Sequence, residues 1–80
     1  MKIYDFNGNK NICGERIKKA RKDLKLTQTE LAARLQVEGV NIERDSISRI
    51  EIGTRFIADY ELLALCKILK LSADHLLGLE

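Results

Sequence analysis

The sequence predicts an all-α fold of five helices. Apolar residues recur at helical spacing along nearly the whole chain, helix-start and helix-stop residues punctuate that pattern, and proline is absent. Eighty residues make one domain, long enough to fold around a single modest core. No low-complexity tract, internal repeat or linker interrupts it.

Each element has its own signal. Cys13, Ile17, Ala20 and Leu24 mark the apolar stripe of a first helix, with basic residues on its other face. Thr27 followed by Glu30 is a capping-box pattern, in which each side chain reaches the other's backbone N–H. Leu31 and Leu35 then supply the buried stripe of a second helix. Ile47 and Ile50 mark a third, and Gly53 stands where a C-terminal cap would end it. Asp59 precedes "YELLALCKILK", where Leu62, Leu65, Cys66 and Leu69 align on one side of a fourth. Ser72 caps the last, "ADHLLG", closed by Gly78. Residues 1–10, with "KIYDF", read as an N-terminal arm or a short strand ahead of a domain spanning residues 11–80.

Composition narrows the class. An apolar share of 45% and a charged share of 32% belong to a soluble globular protein. No apolar run approaches the roughly 18 residues of a membrane span, and "MKIYDFNGNK" has no signal-peptide core, so a cytoplasmic protein is expected. Cys13 and Cys66 are too few for a disulfide framework and lack metal spacing. Both are expected reduced, with Cys66, among its leucines, buried and the costlier to replace. Residues 10–55 carry eleven Lys/Arg against seven Asp/Glu, and residues 56–80 carry two against four. That asymmetry suits a phosphate-attracting face, and equally a domain kept soluble by its charges.

Catalysis is not expected. The only histidine, His75, falls near the end of the last helix and reads as an ordinary surface or partly buried residue. No Cys-His or Ser-His-Asp arrangement, Gly-rich phosphate loop or carboxylate cluster stands out. Neither cofactor, metal nor small-molecule ligand is implied.

The third helix has the chemistry of a reading surface. At about 100° per residue, Ile47 and Ile50 face one side. Asp45 and Arg49 project from the other, flanked by Ser46 and Ser48. An arginine can bond guanine O6 and N7 together, and an aspartate can accept from cytosine N4. On the residues alone, the favoured reading is a solvated face on which Asp45 and Arg49, four apart, pair with each other.

"TQTELAARL" followed by "DSISRIEIGTR" closely resembles the lambda-repressor-like helix-turn-helix family, the phage Cro/repressor or Xre-like regulators. The resemblance runs from Ile12 to Leu77 through "LTQTELA", "ISRIE", "G-T-R" and "LSADHLLG", in that order. It implies a five-helix DNA-binding regulator, expected to be a repressor, with the third helix in the major groove of operator DNA and the second across the backbone. It implies phosphate contacts or support of the recognition helix by Gln28, and a cap or phosphate contact at Thr27. Arg44 aligns with the first recognition-helix position, and Arg55 is a phosphate anchor. Arg21 and Glu51 match positions that form an ion pair between the first and third helices. Lys18, Lys19 and Lys22 remain a solvated face. Operator recognition as a homodimer is implied, the apolar tail "HLLGLE" being the candidate interface or a closure of the core. The alternative from another class is a protein-interaction module, such as an antitoxin that holds a partner.

One departure from the family pattern lies between the second and third helices. Val37 is followed by about five extra residues, Glu38 to Ile42, where such a unit has a connection of about three to four residues. Loop closure makes this tolerable, since doubling a flexible loop costs only about 0.6 kcal/mol. Gly39 and Asn41 supply turn chemistry, and Val40 or Ile42 can pack beneath as an anchor. Glu43 replaces the usual small polar cap before the third helix and is a poor one. The turn is expected to be stretched, not broken.

Overall fold

The chain runs through α1 (Gly14–Asp23), α2 (Gln28–Val37), α3 (Arg44–Ile52), α4 (Asp59–Leu69) and α5 (Ala73–Leu77). A computed structural model describes residues 5–80. Among these the only β feature is an isolated bridge, Phe6–Asn9, closed by Phe6 N–H to Asn9 O and the reverse. Asn7 and Gly8 both take positive φ, the two-residue turn that an Asn-Gly pair favours. The first four residues of the expected arm or strand lie outside the described residues.

The predicted stripes meet in one core. Ile17, Leu31, Leu35, Ile47, Ile50, Leu65 and Leu76 are fully buried. α2 and α3 pack on each other and α3 on α1, while α4 closes the other side against α1 and α2. Two expectations need correction. Leu24 is exposed, because the chain turns after Asp23 and Leu26 goes inward instead. Asp59 is the first residue of α4; Ala58 precedes it, and the Glu61 carboxylate accepts from Ala58 N–H at 2.9 Å. Cys66, expected to be buried, is half-buried at the edge of the core while Cys13 sits inside it, so Cys13 is the costlier to replace. Burial pushes both thiols above their ordinary pKa, so both are protonated at neutral pH.

Every helix is followed by a residue in the left-handed region: Lys25, Gly39, Gly53, Lys70 and Gly78. The next N–H then folds back onto the last turn, Leu26 to Arg21 O, Val40 to Leu35 O, Thr54 to Arg49 O, Leu71 to Cys66 O and Leu79 to Asp74 O. This is the Schellman closure, which satisfies carbonyls left over at a helix end.

That closure explains the long turn. Val40, just beyond Gly39, is buried, and so is Ile42. The Gln36 side chain donates to Ile42 O at 2.8 Å. The added residues are thus pinned from above and below, and α3 starts at Arg44 with Glu43 providing no side-chain cap. Both Val40 and Ile42 act as the anchor foreseen for one of them.

Two of the five left-handed positions carry a lysine, whose Cβ is disfavoured there by about 1 kcal/mol. Lys25→Gly and Lys70→Gly should each stabilise the domain by about that amount. Gly39→Ala should do the reverse, because nothing lies within 4 Å of the added carbon and only backbone strain operates. Urea melts of the three variants against the parent measure all three signs.

Candidate nucleic-acid interface

α3 is fixed to the rest of the molecule through its last turn. Glu51, buried on α3, receives Arg21 Nε at 2.6 Å and Arg21 Nη2 at 3.0 Å, a two-pronged ion pair out of water. Arg21 Nη1 also donates to Leu26 O at 2.7 Å, and Gln28 Nε2 donates to Glu51 Oε1 at 3.1 Å. The hydrogen bonds to Glu51 hold the Arg21 pKa above its ordinary value. One carboxylate therefore joins α1, the turn after it, α2 and α3.

A second clamp acts on the same end. Asn11 Nδ2 donates to Ile50 O at 3.0 Å and to Arg55 O at 2.9 Å, while its Oδ1 accepts from the N–H groups of Cys13 and Gly14. Asn11 thus caps the start of α1 and ties it to the end of α3. Gly14 permits the approach, since a Cβ there would clash with the carbonyl oxygens of Ile50 and Glu51. Lys10 N–H adds a bond to Gly53 O at 2.8 Å.

With its inner face held this way, α3 turns Arg44, Asp45 and Arg49 into solvent and leaves Ser46 and Ser48 half-buried at the margins. Asp45 does not pair with Arg49. It lies 3.4 Å from Arg44, a loose contact between exposed groups, and Arg49 has no ion-pair partner among the described residues. Ile52, exposed at the end of the same face, is its one apolar member.

The remaining candidates occupy two places. Thr27 forms the expected capping box: its hydroxyl accepts from Glu30 N–H at 3.0 Å, and its own N–H donates to Glu30 Oε1 at 2.8 Å. The bond from Thr27 N–H holds the Glu30 pKa low. Gln28, next along, supports Glu51 from the first turn of α2. Arg55 lies in company the sequence did not suggest. Its Nη1 and Nη2 each bond one oxygen of Glu61 at 3.0 Å, and Nη1 also donates to Phe56 O. Burial pushes the Glu61 carboxyl up, but the bonds from Arg55 and from Ala58 N–H outweigh it, so its pKa lies below that of an ordinary glutamate.

Sequence reasoning missed Asn11, Gly14 and Glu61. Asn11 carried a usable signal, a short amide just ahead of a helix start. Glu61 carried another, an acid three residues past a helix boundary. Gly14 carried none, because its role is set by a carbonyl pair distant in sequence.

A model of the helix-turn-helix domain family matches residues 14–80. Among solved structures, the chain is similar to the P22 c2 repressor protein, crystallised in complex with synthetic operator 9T in the presence of Tl+. Sequence identity is 36%, the TM-score is 0.73, and the match covers 88% of this chain and 98% of that one. No curated protein sequence matches the chain. No helix among the described residues is long and apolar enough to cross a membrane.

Two measurements probe these clamps. Arg21→Ala strands the Glu51 carboxylate in the core and should destabilise the domain by about 3–5 kcal/mol in denaturant melts. A variant that melts like the parent would remove the pair from its central place. For Glu61 the sign follows from a folded pKa held below the unfolded one: its contribution is complete above the ordinary value of 4.5 and disappears as pH falls through the folded value. Glu61→Gln should start less stable at pH 7 and lose less stability than the parent between pH about 5 and 3.

Proposed function

The chain belongs to the helix-turn-helix domain family, and on that premise we propose that it is a sequence-specific DNA-binding transcriptional regulator, a cytoplasmic repressor that binds its operator as a homodimer. α3 enters the major groove and α2 braces it across the backbone. The observation that carries this reading is the orientation of α3: its inner face is locked through Glu51, while Arg44, Asp45 and Arg49 stand in solvent. The similarity to a repressor crystallised with an operator supports it.

In this proposal Arg49 and Asp45, at the middle of the exposed face, meet base edges. Arg49 bonds guanine O6 and N7, and Asp45 accepts from cytosine N4. Arg44, Ser46 and Ser48 line the flanks and reach bases or the nearer phosphates. Gln28 and Thr27 meet a phosphate where the free N–H groups of α2 begin, while the Gln28 amide keeps α3 at its angle through Glu51. Arg55 is a phosphate contact of reduced weight. Three of its five N–H groups are engaged by Glu61 and Phe56 O, and the acid neutralises its charge. Nε–H and one Nη2–H remain for an anion.

Selection of bound fragments from random duplex DNA supplies the operator, and titration then tests the reading. Against the selected duplex, Arg49→Ala should lose about 1–3 kcal/mol and relax preference at one position of each half-site. Against a scrambled duplex it should lose much less. Parent protein that prefers no duplex over any other, across several salt concentrations, would sink the reading.

A further inference from the structure

The tail "HLLGLE" offers a second copy one exposed apolar side chain, Leu79. Leu76 is fully buried, Leu77 is half-buried, and the Glu80 carboxylate is occupied by the Ser72 hydroxyl at 2.7 Å. Exposed apolar side chains are spread over the surface, and three of them lie together in sequence on and just before α4. Phe56, Tyr60 and Leu63 are 50%, 62% and 58% exposed, and no element among the described residues covers them.

The pattern around Leu63 is symmetric in charge. Asp59, Leu63 and Lys67 are successive turns apart on one line of α4, and all three are exposed. The acid lies about 6 Å to one side of the leucine along the helix axis and the ammonium about 6 Å to the other. Among the described residues neither has an ion-pair partner. Laid antiparallel on its own copy, this line is complementary to itself: leucine meets leucine, and each acid meets the other chain's ammonium. A parallel arrangement would set like charges together. An isologous two-fold contact requires that kind of self-complementary patch.

We propose that the outward face of α4 docks a second copy of this chain, with Leu63 at the two-fold axis and Asp59 of each copy beside Lys67 of the other. Tyr60 and Phe56 flank the axis and widen the apolar contact. The proposal rests on the homodimer reading above for its purpose, to set two α3 helices on one operator, but not for its geometry. Three apolar side chains per copy make a small patch beside the 1,200–2,000 Å² that stable dimers bury, roughly. Association in free solution is therefore weak, and DNA that holds two copies side by side raises their effective concentration.

Sedimentation equilibrium without DNA, up to the solubility limit, tests the surface, with melting curves confirming that each exposed-site variant is folded. Parent protein should show reversible dimerisation, and Leu63→Glu should abolish it. D59K sets two ammonium groups at each end of the contact and K67D sets two carboxylates there, so each alone should weaken dimerisation at least about tenfold. The combined D59K/K67D protein reverses every pair and should recover the parent constant to within about threefold. A parent that stays monomeric, an L63E protein that dimerises normally, or a double variant no better than the singles overturns the proposal. Because no DNA is present, these results are independent of duplex preference. Reciprocal charge rescue in a protein indifferent to DNA sequence would sink the regulator reading alone, and operator selectivity without rescue would sink this interface alone.

Discussion

Everything that presents α3 depends on one buried carboxylate. Glu51 accepts both prongs of Arg21 and the amide of Gln28, so three helices and a turn are referred to a single pair of oxygens. A buried ion pair contributes little to stability against an apolar replacement of similar size. What it supplies is direction. Apolar contacts among Ile47, Ile50, Leu31 and Leu35 would tolerate a helix that slides or rolls slightly, whereas a forked hydrogen-bonded pair loses its geometry with small rotations. The exposed face of α3 is therefore aimed by its hidden face.

Against that fixed helix, the long connection from α2 is an accommodation and not a hinge. Gly39 ends α2, Val40 and Ile42 fill space under the chain, and Gln36 holds Ile42 O. The added length is carried on the surface by Glu38, Asn41 and Glu43, while the helices on either side keep the contacts a short turn would have left them. Length matters less than the placing of anchors. Two apolar residues among four polar or small ones suffice.

The helices were legible in the sequence because their signals are local. The Thr27–Glu30 box, the glycines after α2, α3 and α5, and the stripes of isoleucine and leucine need no knowledge of tertiary structure. The Arg21–Glu51 pair was legible only by resemblance, since thirty residues separate its members. Leu24 misled because the stripe pattern continues smoothly across a turn made by Lys25, a residue with no reputation for positive φ. Arg55 was read as a phosphate anchor with no partner of its own, because Glu61, which binds it, lies on the next helix. For Arg21 and Arg55 the missing information was a contact between elements, and for Leu24 it was a local turn. The outward residues of α3 were the easier part, being what remains once the inward ones are assigned.

The two ends of α3 are held very differently. Its last turn is closed by Gly53, tied by Asn11 and anchored through Glu51, whereas its first has only Glu43 ahead of it and no side-chain acceptor for its free N–H groups. Amide hydrogen exchange along this helix should follow that gradient, slow near Ile50 and fast near Arg44 and Asp45. The helix is thus rooted at the back and compliant at the tip. Its unsatisfied N–H groups are left to solvent, and the ordering entropy of engaging a surface would fall on one turn of backbone instead of on the whole domain.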